Sequence, residues 1–386
     1  MSHSKPPTIS HRLEYLAFRG LEGVLRLMSL ETTFRLGELI GTLIHRFAAK
    51  PRATVIRNLR FAFGREKSPR EIKELTTRIF ERTAANLFSS IRVPFLKDEE
   101  IASHLTLVGL DEVLASPDKR GIVAVSPHMG NWELLAQVAH LARDAFKVGT
   151  HYRPLNNRFL DSLVERRRQM RGLKLFAKRS SGHTMATFVK NGGFLGILAD
   201  QRVGGRGTPA VFFGRPTTCS PLPDLMARRG NGRLFSLVCE TSGVAQWKVS
   251  LTPIPEISAQ ACATSLENAW RRSPEDVFWF EERWRLQSQS RLRFLEKYPS
   301  DHQVTRPLRL VNLTASAQPL LFPESLLTQE KHEVTFDQPD RFLREELRKI
   351  SELGDTPVDA FIAPASQQKR LSRLNGKVLV FTPEVD

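Results

Sequence analysis

Apolar residues recur at three- and four-residue spacing through the first part of the chain and gather into short runs after Ile101, so the texture changes there. Leu13, Leu16, Ala17, Leu21, Val24, Leu25 and Met28 form one helical stripe, and a second apolar stretch covers 36–47 with Glu38, His45 and Arg46 as its polar breaks. Residues 51–63 set Val55, Ile56, Leu59 and Phe61 among Arg52, Arg57 and Arg60, a further basic amphipathic turn or two. Ser68-Pro69-Arg70-Glu71 supplies an N-cap, a first-turn proline and an early acid, which predicts a helix to about Ile91. Its apolar face includes Ile72, Leu75, Ile79, Ala84, Leu87 and Phe88.

Beyond Ile101 the pattern predicts strands over 105–108, 122–125, 146–150, 194–198, 234–239 and 247–251, and helices over 110–115, 132–142, 157–169, 184–190 and 222–229. This alternation predicts an α/β fold, a mixed sheet flanked by helices, with functional groups at strand ends. Helices over 266–272 and 274–286 follow, the second holding Phe278, Trp279 and Trp284. After a polar, charged stretch, strands are predicted over 308–313, 334–336, 358–362 and 378–381, with helices over 340–353 and 367–374. The predicted organisation is an amphipathic helical part, 1–65; a central α/β domain, 66–290; a linker, 291–306; and a small α/β extension, 307–386. The extension has neither a glycine-rich phosphate loop nor a metal motif, and its sequence does not say what it does.

A length of 386 residues with 41% hydrophobic composition leaves room for a large core and a second small domain. The net charge of +16 predicts attraction to an anionic partner: phospholipid headgroups, a phosphorylated glycolipid, an acidic carrier protein or nucleic acid. Nucleic acid is disfavoured, because no aromatic platform or recognised module accompanies the basic residues. Cys219, Cys239 and Cys262 are odd in number and lack metal-ligand spacing, which favours structural, reduced thiols in a cytoplasmic setting. Arg12, Glu14, Arg19, Glu22 and Arg26 interrupt the first apolar stripe and argue against a cleavable signal and against a simple spanning helix. The first two segments then either lie in a headgroup plane or pack as a hairpin on the protein's own core.

The chemistry concentrates in 121–135, where the run Gly-Ile-Val-Ala-Val-Ser ends at Pro127 and His128-Met-Gly-Asn-Trp-Glu133 follows. On one continuous helix, residues five apart sit about 140° round the axis from each other. A turn at Gly130 and Asn131 removes that obstacle: His128 precedes a helix bearing Leu134, Leu135, Val138 and Leu141, and Glu133 lies in its first turn. The expectation is that Glu133 accepts a hydrogen bond from one ring nitrogen of His128 while the other acts as a base. A lone histidine in such a turn is, against this, more often a capping residue. A second polar block, Tyr152-Arg153-Pro154-Leu155-Asn156-Asn157, also follows a predicted strand, and a guanidinium there suits phosphate or a developing oxyanion. A third, from Gly196 to Gly205, delivers Asp200, Gln201 and Arg202 into a glycine-rich loop before Val211-Phe-Phe-Gly-Arg-Pro216. Asp200 reads as a positioning or electrostatic residue, or else as a buried partner of Arg153. The basic run 165–171 with Lys174, Lys178 and Arg179 is either a solvated helix face or a surface for lipid phosphate or an acidic carrier protein. Trp132 and Phe212–Phe213 line an acyl slot or simply pack. No Gly-x-Ser-x-Gly elbow and no zinc motif occurs, which favours a mechanism without a covalent enzyme intermediate.

His128-Met-Gly-Asn-Trp-Glu133 resembles the His-x4-Asp/Glu motif of glycerolipid-type acyltransferases. More closely, this segment, the arginine of the second block, Ala199-Asp200-Gln201 and Phe212-Phe213-Gly214 are similar to the bacterial lipid A biosynthesis (lauroyl/myristoyl) acyltransferase family, shared by mycobacterial phosphatidylinositol mannoside acyltransferases. The resemblance covers roughly 10–290 and takes in the predicted terminal helix around 275–285. It implies a glycerolipid-acyltransferase-like fold and transfer of a fatty acyl chain, without cofactor or metal, from acyl carrier protein or acyl-CoA to a membrane glycolipid, foremost a lipid A precursor. It further implies His128 and Glu133 as catalytic residues, and Gly130, Asn131, Arg153, Asp200, Gln201 and Arg202 as substrate-binding residues. The implied setting is an anionic membrane surface, the cytoplasmic face of the bacterial inner membrane, with monotopic attachment. Acylation of another glycolipid or glycerolipid is the alternative activity; a catalytically silent membrane-bound binding protein is the alternative of another class. The extension departs from the family's ordinary length, which leaves open a second activity or a docking role.

Overall fold

Local capping sets the first helices. The Thr8 and Ser29 side chains accept from the backbone N–H three residues on, opening α1 (Ile9–Arg26) and α2 (Leu30–Phe47). The N-cap and early acid read at Ser68 and Glu71 form a capping box: Glu71 accepts from the Ser68 N–H at 2.8 Å and Ser68 Oγ from the Glu71 N–H at 3.3 Å. After α3 (Ala49–Phe63), that box starts α4 (Pro69–Arg92). The computed structural model describes residues 8–142, 146–177, 181–203, 207–286, 295, 298–299, 302–313, 323, 325–354, 356–374 and 379–381. None of its described helices is long and apolar enough to cross a membrane.

The elements that follow are α5 (Asp98–Ser103), β1 (Leu105–Val108), α6 (Leu110–Ala115), β2 (Ile122–Ser126), α7 (Leu134–Gln137), β3 (Val148–Tyr152), α8 (Arg158–Gln169), β4 (Lys174–Ala177), α9 (Gly182–Lys190) and β5 (Phe194–Leu198). A hairpin of β6 (Thr208–Phe212) and β7 (Arg215–Cys219) comes next, then α10 (Leu222–Arg229), β8 (Arg233–Gly243), β9 (Gln246–Pro253) and α11 (Ala259–Arg272). Seven strands form one sheet in the order β1-β9-β8-β2-β5-β3-β4. Every pairing in it is parallel except β8 with β9, so the expected mixed α/β sheet flanked by helices is present. β2 is buried along its whole length, as an uninterrupted apolar run between two neighbours should be.

The last part of the chain holds β10 (Leu308–Asn312), β11 (Leu327–Lys331), α12 (Asp340–Glu352), β12 (Ala360–Ile362), α13 (Gln368–Leu374) and β13 (Leu379–Phe381). Its sheet is parallel throughout, in the order β11-β10-β12-β13.

The chain packs as two compact units whose pieces interleave along the sequence. One comprises Met1–Ala48, Thr77–Asp200 and Pro221–Phe278; the other comprises Ala49–Thr76, Gln201–Ser220 and Trp279–Asp386. The C-terminal sheet is therefore fastened to α3 and to the β6–β7 hairpin within one unit. Arg306 donates to the Phe61 and Ala62 carbonyls at the end of α3, at 3.2 and 2.6 Å. Arg57 reaches the Val358 carbonyl at 2.8 Å, and Asn58 donates to the Trp279 and Glu281 carbonyls at 2.8 and 2.6 Å. Arg215 of β7 pairs with Asp359 at 2.5 Å, both side chains sealed from solvent. The hairpin itself turns at Phe213 and Gly214, with φ of 54° and 70°, the left-handed pair that matches the strands' twist.

Three expectations fail, and several strands were not expected, for identifiable reasons. The helix over 132–142 shrinks to the four residues of α7, interrupted at β-branched Val138, with a 3-10 turn over Ala139–Ala142. The helix over 274–286 is a 3-10 turn over Pro274–Asp276, because the backbone that follows pairs with another segment, described below. The strand expected over 334–336 is absent, and β11, a polar edge strand, takes the place beside β10. The short edge strand β4 and the hairpin strands, each containing a proline, carry too little alternation to be seen in sequence.

Candidate active site

The register of two central strands assembles the site. β2 and β5 run parallel with Ser126 opposite Leu198, and the Ala199 N–H still donates to the Ser126 carbonyl at 3.0 Å. Two residues further along each strand come His128 and Asp200. One Asp200 oxygen accepts from the His128 backbone N–H at 2.8 Å; the other lies 2.7 Å from His128 Nδ1. A carboxylate in that position favours the tautomer with the proton on Nδ1, so that Nε2 carries the lone pair. The Asp200 side chain is 4% accessible and that of His128 18%, so the acid is enclosed while the imidazole keeps an open side.

The turn beyond His128 is clamped from outside. Met129 forms a bridge with Val277, the Gly130 N–H donates to the Asp276 carbonyl at 2.9 Å, and the Phe278 N–H donates to the His128 carbonyl at 2.9 Å. Asp276 is in turn fixed by Thr241, whose N–H and hydroxyl donate to its carboxylate at 2.8 and 2.6 Å, and by the Ser273 hydroxyl at 2.9 Å. Burial pushes the Asp276 carboxyl up, while the hydrogen bonds from Thr241 pull the other way. Gly130 has φ +56°, and a Cβ there would stand 2.3 Å from the Cys239 carbonyl oxygen, so the turn passes where only glycine fits. Asn131 Oδ1 accepts from the Leu134 N–H at 3.2 Å and opens α7. Trp132 meets the His128 ring edge-on at 5.5 Å and Phe278 at 5.6 Å, a half-buried aromatic wall beside the imidazole.

Glu133 stands elsewhere than expected. Its carboxylate takes two hydrogen bonds from Arg168 of α8, and that charge holds the Arg168 guanidinium above its usual range although burial works against it. Asp200, not Glu133, is the acid at Nδ1 of His128. Parallel pairing explains the exchange: neighbouring strands bring 128 and 200 into line, whereas the first turn after the strand carries residue 133 toward α8. Arg153, just past the end of β3, is exposed and has no ion pair or hydrogen bond among the described residues, so Asp200 is not its buried partner. It shares the strand-end edge with His128 and Asp200, because β3 lies next to β5 with Thr150 opposite Gly196. Gln201 is exposed, and Arg202 donates to the Arg285 carbonyl at 3.0 Å; both belong to the second unit.

Residues 7–286 match the model of a family described as bacterial lipid A biosynthesis acyltransferase. The chain belongs to that family. No curated protein matches it. In this lipid A biosynthesis acyltransferase family member, residues 287–386 lie beyond the matched region, although part of them packs with α3 and the hairpin that lie inside it.

Much of the basic run expected at the surface of this acyltransferase is consumed internally: Arg167 pairs with Glu22 of α1, Arg168 with Glu133, and Arg171 with Asp98. Lys178, Arg179 and the glycines at 204 and 205 lie outside the described residues. The three cysteines are free and buried, and burial raises the Cys219 and Cys239 thiols. Among the described residues no group of three His, Cys, Asp or Glu gathers as a metal site. Asp276, Thr241 and Arg168 are the supporting residues that sequence reasoning did not find. Their roles depend on which strands are neighbours, and no local pattern announces that.

Proposed function

We propose that the chain moves a fatty acyl group from an acyl thioester, on acyl carrier protein or coenzyme A, to a hydroxyl of a membrane glycolipid, a lipid A precursor. The observation that carries this reading is the pair at the strand ends: an accessible imidazole whose far nitrogen is held at 2.7 Å by an enclosed carboxylate. His128 Nε2 takes the proton of the acceptor hydroxyl as that oxygen attacks the thioester carbonyl. The tetrahedral intermediate then collapses, its carbon–sulfur bond breaks, and the imidazolium returns the proton to the departing sulfur, so ester and free thiol are the products. Asp200 stabilises the imidazolium between the two steps.

Arg153, exposed and unpaired among the described residues, is suited to the acceptor's phosphate. Glu133 acts through Arg168, fixing the turn that carries Trp132 rather than exchanging protons. Asn131, in the turn after His128, completes the proposed contacts with substrate. We further propose attachment to the cytoplasmic face of the bacterial inner membrane by α1 and α2. Leu16 and Phe47 on these helices and Leu27 just after α1 are 63%, 77% and 91% exposed, beside Arg12, Arg19, Arg35 and Arg46, a pattern suited to the headgroup plane.

The test is acyl transfer to a lipid A precursor by the full chain, with acyl carrier protein and coenzyme A thioesters as separate donors. Ester formation with one thiol released per acyl group supports the reading. Vesicle binding without thiol release would mark a silent binding protein instead.

A further inference from the structure

A cavity of about 630 Å³ lies at the opposite end of the sheet from His128 and Asp200, beside the starts of β3 and β4. Its walls come from the starts of β3 and β4, from Gly193 just before β5 and from α9, all within the first unit. Lys147, Arg171, Lys174 and His183 line it, and no aspartate or glutamate does so among the described residues. Arg171 is already engaged by Asp98, by Gln137 and by the Leu96 carbonyl. Lys147, Lys174 and His183 have no carboxylate partner among the described residues.

The wall under Lys174 is built for it. Phe176 and Phe188 pack edge to face at 5.1 Å, and the Lys174 ammonium stands 5.2 and 5.5 Å from their ring centroids. Gly193 makes room for this: a Cβ there would stand 2.6 Å from the Phe188 ring. Lys147 holds β5 through its own carbonyl, which accepts from the Phe194 N–H at 2.9 Å, so the cation is anchored on the sheet rather than on a loose loop. His183 and Thr184 belong to the first turn of the nine-residue α9, whose leading N–H groups add positive potential.

We propose that this cavity binds a phosphate group bearing two or more negative charges, at a site separate from the His128–Asp200 pair. Lysines unpaired with acid, in a recess large enough for a nucleotide-sized molecule and with apolar walls beside them, suit an organic phosphate better than a simple halide or a neutral ligand. The phosphate belongs either to a soluble small molecule or to a lipid headgroup, and the two sources are separable.

Calorimetric titration of the full chain with inorganic pyrophosphate and with ADP tests the soluble source. Flotation with phosphatidylcholine vesicles, with and without phosphatidic acid, tests the lipid source. The proposal expects saturable binding of one of these probes, weakened by about tenfold or more in the Lys147→Ala/Lys174→Ala double variant. Lys190→Ala, which removes a positive charge outside the cavity, should leave that binding unchanged. Absence of saturable binding to folded wild type, or equal binding by wild type and the double variant, would overturn it. Neither readout uses acyl transfer, so failure here and failure of the proposed activity are distinguishable.

Discussion

His128 with Asp200 and Arg215 with Asp359 are both close pairs of one carboxylate and one nitrogen group, at 2.7 and 2.5 Å. Their surroundings differ. Arg215 and Asp359 are wholly enclosed; the Phe61 ring lies 4.4 Å from the guanidinium carbon, and Arg215 Nε and Nη1 have no hydrogen-bond partner among the described residues. The His128 side chain keeps 18% of its surface accessible, and the carboxylate engages its Nδ1. A buried pair of this kind fixes neighbouring elements and is costly to break, whereas an imidazole open on one side can exchange a proton with a substrate. Pairing alone does not make a site; an open face on one partner does.

Removing the accessible member should cost activity and little stability. His128→Ala should lower the rate of acyl transfer by about 10²–10⁴ with a nearly unchanged unfolding midpoint, read by thiol release and thermal denaturation. The enclosed pair should behave in the opposite way. Asp359→Ala leaves Arg215 uncompensated and should destabilise its unit by about 3–5 kcal/mol in denaturant unfolding. A variant as stable as wild type would remove the contrast. Gly130→Ala falls between the two, since it strains the turn that carries His128. A cost of about 1–3 kcal/mol in stability is expected, with a loss of activity on top, because the added Cβ meets the Cys239 carbonyl.

The contrast also shows what the sequence could disclose. The apolar runs of β2 and β5 and the polar residues at their ends are visible in the sequence, and so are His128 and Asp200 as residues at strand termini. Their partnership is not visible, because β3 and β4 intervene in the chain between strands that are neighbours in the sheet. Proximity in sequence pointed to Glu133, five residues from His128, while parallel register joined residues 72 apart. The same limit hid what the C-terminal part packs against, although most of its strands and helices were legible. Arg57 reads only as part of a basic amphipathic turn and Arg215 only as part of the segment with Phe212 and Phe213, yet burial draws the half-buried Arg57 guanidinium down to about 10, and Arg215 is sealed against Asp359. Both became fasteners only once α3, the β6–β7 hairpin and the last sheet were found in one unit. Helix α4 and its capping box were legible because their signals are local, whereas the stretch after Pro274 was misread because its backbone pairs with the turn at Met129.

The membrane proposal sharpens the picture at smaller scale. Replacing Leu16 and Leu27 together by serine should weaken binding to anionic vesicles by about tenfold while leaving folding intact, as measured by flotation and circular dichroism. Unchanged flotation would detach α1 from that role.

The account turns on which acid serves His128, and a single comparison addresses it: acyl transfer by Asp200→Asn and by Glu133→Gln, each checked for folding. Asp200→Asn should lose about 10²-fold or more in rate, through loss of the tautomer and of imidazolium stabilisation, and Glu133→Gln markedly less. Near-normal transfer by Asp200→Asn alongside a collapse in Glu133→Gln would contradict the assignment of Asp200 as the brace.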